Sequence, residues 1–263
     1  MFYIFPTATE IADFVSEQML LRIKNQNKTV FGLATGSTME PVYEQFIQKY
    51  RQCQPSLEQV YCFNLDEYVG LPAEHPQSYH AYMQKHLFRH VPFNQQQVFL
   101  PCGQKTANEA ECQAFSALIQ AQGGIDLQLL GIGTNGHIGF NEPGTPFNSR
   151  THIVALSEQT RRDNSRFFAN KNEMPTHAVT LGLKDIVEAE EVFLLATGAH
   201  KAEIMAALQR SRSDEQLPAS ILHEHPNAIV LLDAQAAQEL DRSLCRSYQD
   251  LTRTRTAIAE KAT

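Results

Sequence analysis

An imidazole and a carboxylate five residues apart, set among glycines, are the part of this sequence best suited to moving protons. In Leu127–Asn148 (LQLLGIGTNGHIGFNEPGTPFN) an apolar run ends at Gly131-Ile132-Gly133, and Asn135, His137, Asn141 and Glu142 follow within eight residues. Histidine works as acid or base near neutral pH, and Glu142 could orient it or stabilise its charged form. A lone strand-end histidine can be structural, but the flanking glycines and the nearby carboxylate point to function. A second carboxylate, Asp66, closes another β-rich run in Asn64-Leu65-Asp66-Glu67-Tyr68. Partial desolvation there would raise its pKa and suit it to take a proton from carbon. The same Asp could equally cap the next turn. Glu67 would face the other side if the strand continued, which limits it to a supporting role.

Anion binding has its own candidates. Thr35-Gly36-Ser37-Thr38 lies between a strand-like and a helix-like stretch, where a glycine, helix amides and hydroxyls can hold a phosphate. A tight turn with a hydroxyl N-cap would use the same residues, and neither nucleotide-loop pattern is present. Lys201, in the first turn after Ala196-Thr197-Gly198, is a cation where the helix dipole disfavours one, unless an anion binds there. Arg166, in Asn164-Ser165-Arg166-Phe167-Phe168, could reach the same anion. Either cation alone also suits a solvated face. His75, His80, His86 and His90 lie near one another, but no H-E-x-x-H and no cysteine pair completes a metal site, so none is expected.

These residues need strand ends to hold them. Thr7-Ala8-Thr9-Glu10 has the form of a capping box and predicts a helix from near Thr9. Ile11, Phe14, Val15, Met19 and Ile23 follow on one face. Thr29–Thr35 reads as a strand closed by Gly36, then a helix over Glu40–Tyr50. The unit recurs: strands at Val60–Leu65, Val98–Leu100, Leu127–Ile132, Val192–Ala196 and Ala228–Leu232, with helices after Ser78, near Ala107–Gln122 and from Ala199. The alternation predicts one α/β domain over residues 1–263, a doubly wound, mostly parallel open sheet of Rossmann-like type. Ligands of such sheets bind beyond the carboxyl ends of the strands, where His137 and Glu142 stand. Residues 143–175, with Pro143, Gly144, Pro146, a β-rich Thr151–Leu156 and a charged helical Glu158–Asn170, read as a lid insertion over the site. From Ser247 the polar, Thr/Arg-alternating chain reads as a frayed tail.

The 263 residues are 43% hydrophobic and carry a net charge of −7. That length suffices for one large α/β domain or two small ones, and no linker divides the chain. No apolar run is long enough to span a bilayer. The opening MFYIF lacks a basic flank, ends at Pro6 and reads as a first strand rather than a signal peptide. The negative charge argues against a general nucleic-acid surface but leaves room for a local phosphate pocket. Five scattered cysteines without a C-x-x-C pair and no export signal fit a reduced, cytoplasmic setting.

Together, Leu65–Tyr68 (LDEY), Gly133–Pro143 (GTNGHIGFNEP), Asn164–Phe168 (NSRFF) and Gly198–Ala202 (GAHKA) resemble the glucosamine-6-phosphate deaminase family, over about Thr29 to Leu208. The resemblance implies conversion of glucosamine 6-phosphate and water to fructose 6-phosphate and ammonia in amino-sugar catabolism, with a small-molecule sugar phosphate as partner and neither metal nor organic cofactor. It implies His137 as ring-opening acid and base, completed by Asn135 and Glu142, and Asp66 as the base that moves a proton from C2 to C1. Thr35, Gly36, Ser37, Thr38, Arg166 and Lys201 resemble the family's phosphate clamp.

Two departures stand out. Many members have Asp where this chain has Asn135, an amide that cannot relay a proton, which leaves Glu142 as the ionisable partner of His137 in the block. Allosteric hexameric members carry Arg and Lys where this chain has His152 and Val154, and their aromatic-containing C-terminal segment is not recognisable here. The expectation is therefore a monomer or homodimer with hyperbolic kinetics. Rival readings are a 6-phosphogluconolactonase, which shares the fold; a galactosamine-6-phosphate deaminase, differing at C4; and a non-catalytic sugar-phosphate-sensing domain. Phe140-Asn141-Glu142-Pro143 and the LDEY block favour a deaminase over the lactonase. The presence of Asp66, His137 and Glu142, with the fold beginning at the N-terminus, weakens the sensor.

Overall fold

Runs of Val, Leu and Phe, too apolar to leave either face wet, set the architecture. In the computed structural model, which describes residues 1–165, 168 and 173–253, these runs become strands buried on both faces. The described strands are β1 (Phe2–Phe5), β2 (Thr29–Leu33), β3 (Val60–Asn64), β4 (Asp66–Tyr68), β5 (Val98–Phe99), β6 (Leu127–Leu130), β7 (His152–Ala155), β8 (His177–Thr180), β9 (Glu191–Ala196), β10 (Ala228–Asp233) and β11 (Cys245–Ser247), of which β5, β7 and β11 are more exposed. Eight pair in parallel throughout, in the order β11-β1-β10-β9-β6-β2-β3-β5. Every residue of β2, β6 and β9 is buried, as the central strands of a parallel sheet require.

The flanking helices include α1 (Ala8–Asn25), α2 (Glu40–Cys53), α3 (Tyr79–Met83), α4 (Glu109–Ala121), α5 (Glu158–Ser165), α6 (Leu183–Val187) and α7 (Ala202–Arg210). Thr7 caps α1: its hydroxyl accepts from the Glu10 amide at 3.3 Å and donates to the Glu10 carboxylate at 2.9 Å, so the helix starts at Ala8, one residue before the expected Thr9. Asn108 and Glu111 form a reciprocal capping box on α4, which begins at Glu109 rather than Ala107. Each such cap contributes about 1 kcal/mol. The expected face of α1, Ile11, Phe14, Val15, Met19 and Ile23, is buried.

From β2 the chain moves outward through β3 to β5. From β6 the neighbouring strands lead the opposite way, through β9 and β10 to β1. The carboxyl ends of β2 and β6 therefore flank a topological switch point, where an open α/β sheet presents its ligand crevice.

The β-rich run expected at Val60–Leu65 does not continue straight. Leu65 donates to the Leu33 carbonyl (2.9 Å) and accepts from the Leu181 amide (2.8 Å), handing the chain from the large sheet to a small antiparallel one, β4-β8-β7. In that sheet Thr180 stands opposite Asp66 on one side and His152 on the other. The β-rich part of residues 143–175 thus forms β7, an edge strand of this sheet, and α5 follows it. The frayed tail expected from Ser247 does not hold for residues 247–253, and residues 254–263 lie outside the described residues. Ser247 ends β11, paired with Ile4, and residues 248–253 are helical, with Leu251 buried and the Tyr248 ring 5.2 Å from that of Phe5. Among the described residues no helix is long and apolar enough to cross a membrane.

Candidate active site

Past β6 the backbone turns through Gly133, whose amide donates to the His137 carbonyl (2.9 Å) and whose carbonyl accepts from Gly136 (3.1 Å). Gly136 has φ +85°, a conformation glycine adopts without strain. This loop folds the imidazole back over Gly133. A Cβ added to that glycine would lie 2.1 Å from the ring, so only glycine leaves it room. The ring is oriented by a chain of bonds with one consistent polarity. Asn135 Nδ2 donates to Glu142 Oε2 at 2.7 Å, and an ionised carboxylate can only accept. Asn135 Oδ1 therefore faces His137, where it accepts the backbone amide (3.2 Å) and contacts Nδ1 (2.7 Å). Nδ1 carries the proton, and in the neutral ring Nε2 keeps its lone pair. Direct contact between Nδ1 and Glu142 Oε2 is longer, 3.8 Å. Glu142 Oε1 accepts from the Ser157 hydroxyl at 3.1 Å and from Thr160 Oγ1. Asn141 is a brace: buried, it donates to the Ile138 (2.9 Å) and Leu181 (2.8 Å) carbonyls.

Asp66 opens β4 on the other side of Leu65. Only 6% exposed, it accepts no hydrogen bond from a described residue. Burial first, and the neighbouring Glu67 charge second, push its pKa well above the ordinary carboxylate range. It is not a turn cap. That task falls to Glu67, whose buried carboxylate accepts from the amides of Tyr68 (2.8 Å), Tyr79 (2.9 Å) and His80 (2.9 Å) and so fixes the start of α3. The two halves of the site meet through Thr180, opposite Asp66, whose hydroxyl accepts from the Phe140 amide at 3.1 Å. The Phe140 ring lies parallel to that of Tyr79, at an interplanar angle of 3°.

At the end of β2, Gly36 has φ +102° and Ser37 is exposed. The N-cap of α2 is Met39, with no side-chain cap bond, so the hydroxyls of Ser37 and Thr38 are not spent on capping. The Gly36 carbonyl accepts from Tyr82 Oη at 2.8 Å. Lys201 closes a 3-10 turn, Ala199–Lys201, that precedes α7, and Nζ donates to the Ile132 carbonyl at 2.7 Å. That bond places its ammonium at the carboxyl end of β6, beside the His137 loop. Arg166 lies outside the described residues. A separate cavity of about 760 Å³ sits at the opposite edge, at the amino ends of β1, β9 and β10, where Arg22 is paired with Glu191. It contains none of the candidate residues.

Residues 6–231 match the family of glucosamine-6-phosphate isomerases/6-phosphogluconolactonase. The chain belongs to this family. A glucosamine-6-phosphate deaminase of Shouchella clausii is 46% identical over 228 residues, covering 87% of this chain and 92% of that protein. A solved structure of a monomeric glucosamine-6-phosphate deaminase superposes with a TM-score of 0.88 at 40% identity, covering 90% of this chain and 99% of the other. A 6-phosphogluconolactonase from Thermotoga maritima superposes with a TM-score of 0.70 at 20% identity, covering 89% and 99%. That degree of likeness speaks to the shared fold alone.

Within this isomerase/lactonase fold, the His137, Asn135 and Glu142 grouping expected from sequence is assembled, and Asp66 stands on the adjoining sheet. Sequence reasoning missed Tyr79, whose ring packs against those of Tyr68 and Phe140, and the Ser157 and Thr160 hydroxyls on Glu142. The S-x-x-T spacing ahead of a helix was the available signal for the last two. Gly133→Ala is expected to displace the imidazole and lower kcat at least about 100-fold, the scale of losing a positioned acid–base group, while far-ultraviolet circular dichroism stays that of the parent. Wild-type turnover by that variant would show that the ring is not held against Gly133.

Proposed function

We infer that this chain is a glucosamine-6-phosphate deaminase, converting glucosamine 6-phosphate and water to fructose 6-phosphate and ammonia. One observation carries the reading: a His137 relay that leaves Nε2 ready to accept a proton, joined through Thr180 to a buried Asp66 carboxyl with no donor of its own among the described residues. The substrate's pyranose must open first. His137 Nε2 takes the proton of the 1-hydroxyl as the C1–O5 bond breaks and returns a proton to O5, with Glu142 balancing the transient imidazolium charge through Asn135. Asp66 as carboxylate then removes the C2 proton of the open 2-ammonio aldehyde while the ammonium gives a proton to the aldehyde oxygen. This leaves a neutral enolamine with a hydroxyl on C1, and Asp66 delivers the C2 proton to C1. The product is a C2 iminium, which adds water and releases ammonia. Thr35, Gly36, Ser37, Thr38 and Lys201, with Arg166, hold the phosphate, and that remote binding energy positions C1 and C2 beneath Asp66. Residues 143–175, α5 included, serve as the lid of a single domain.

The family also contains lactonases, but lactone hydrolysis needs no ring-opening pair and no base directed at carbon. Incubating the purified chain with glucosamine 6-phosphate should release ammonia and fructose 6-phosphate in equal amounts. No ammonia, together with hydrolysis of 6-phosphogluconolactone, would reverse the assignment. Absence of the cationic pair at His152 and Val154 supports an unregulated monomer or homodimer, and the similar solved deaminase is described as monomeric. Saturation should be hyperbolic and unchanged by N-acetylglucosamine 6-phosphate. A sigmoidal curve relieved by that compound would contradict this. Five cysteines without a disulfide support a reducing, cytoplasmic setting.

A further inference from the structure

We propose that Thr160, seconded by Ser157, is a positioning residue of the ring-opening step, and that α5 holds both halves of the site in register. The proposal rests on the deaminase reading given above. Thr160 is 5% exposed, and its hydroxyl lies on Glu142 Oε1, the carboxylate oxygen that Asn135 does not hold. Ser157 Oγ contacts the same oxygen at 3.1 Å, lies 3.0 Å from Thr160 Oγ1 and accepts the Thr160 amide at 3.1 Å, which caps α5. Each hydroxyl has a single proton. Thr160, the nearer, donates its proton to Glu142, and the Ser157 proton is shared between Glu142 and Thr160 Oγ1.

The carboxylate is thereby fixed at both oxygens, which matters more here than it would beside an acid at position 135. An amide carries no charge of its own, so His137 feels Glu142 only through the Asn135 dipole and across 3.8 Å. A carboxylate free to rotate about its last bond would lose Asn135, and the imidazole would then lose its donor polarity. The other end of α5 is tied as well. Asn164 Nδ2 donates to Tyr68 Oη at 2.9 Å, and the Phe168 ring lies edge-on to Tyr68, at 6.0 Å between centroids. Tyr68 is two residues from Asp66 on β4. Eight residues of helix therefore span from the ring-opening relay to the strand that carries the carbon base.

Thr160→Val keeps the shape and removes the donor. Losing a hydrogen bond to a charged group predicts a fall in kcat of about 10- to 100-fold, with KM changed less than about threefold. Thr160→Ser should restore both values. Ser157→Ala, at a half-buried position, should give a smaller loss of kcat with KM likewise little changed, and it serves if Thr160→Val is thermally unstable. Affinity for 2-amino-2-deoxyglucitol 6-phosphate, an open-chain analogue that needs no ring opening, should be unchanged in all three variants. Wild-type kcat in both Thr160→Val and Ser157→Ala would overturn the proposal. So would an equal loss of affinity for the open-chain analogue, which would mark a general disturbance of the site. If the wild-type chain itself releases no ammonia from glucosamine 6-phosphate, the deaminase reading fails first, and the two outcomes are separated by that control.

Discussion

Replacing Asp66 by Asn should lower kcat by about 10²- to 10⁴-fold, the range for removing a positioned general base, while sugar-phosphate affinity stays near that of the parent. The amide has the size of the carboxyl and cannot take the C2 proton, and Asp66 makes no hydrogen bond to a described residue whose loss would disturb the fold. From substrate deuterated at C2 the wild type should carry that deuterium to C1 of the fructose 6-phosphate formed, and the variant should form almost none of the labelled product. The substitution should also change stability in a direction that follows from burial. Desolvation, and secondarily Glu67, raise the native Asp66 pKa above its unfolded value. Between those two values the native state holds more protons than the unfolded chain, so stability falls as pH rises through that window. Asp66→Asn removes this dependence. Its melting temperature should match the wild type at the acid end of the window and exceed it at pH 8. A variant no more stable than the wild type at pH 8 would show that Asp66 is not held in the desolvated state described.

Glu142→Gln should be almost as damaging, about 10²- to 10⁴-fold in kcat, for a reason of polarity. If the new side chain offers its oxygen to Ser157 and Thr160, its NH₂ faces Asn135 Nδ2, donor against donor. Relief requires Asn135 to turn over, which directs its NH₂ at the backbone amide and Nδ1 of His137. The ring would then carry its proton on Nε2 and could no longer accept from the 1-hydroxyl, and the negative charge that balances the imidazolium would be gone. KM should change little, because Glu142 is outside the phosphate-binding group, and the open-chain analogue should bind as tightly as before. Near-normal turnover of the cyclic substrate would refute the role of Glu142.

What could be read from the sequence was what is local. His137, Glu142 and Asp66 announced themselves because a strand end followed by glycines places side chains at a known edge of a known kind of sheet, and the chemistry of each is intrinsic. Helix α1 declared its cap and its buried face within 18 residues. What escaped depends on partners far along the chain. Strand β8 is four residues, too short for a period to distinguish it, and its identity comes from pairing with β4 and β7. Strand β11 reads as polar because an edge strand is held by backbone bonds, which leave no signature in its side chains. The Glu67 cap on α3 and the Thr160 contact with Glu142 join residues 12 to 18 positions apart whose relation only the fold reveals.

Strand β1 has both its neighbours, β10 and β11, more than 220 residues downstream, and the amino group of Met1 donates to the Ala228 carbonyl across a separation of 227. At a synthesis rate of about 5–20 residues per second, strand β1, once made, waits on the order of ten seconds or more before its neighbouring strands exist to receive it. The nascent chain therefore carries an unpaired edge for most of its translation. His137, Asn135 and Glu142, like Asp66, are made in that interval, so a slow ribosome exposes this protein to mispairing before it has a site to protect.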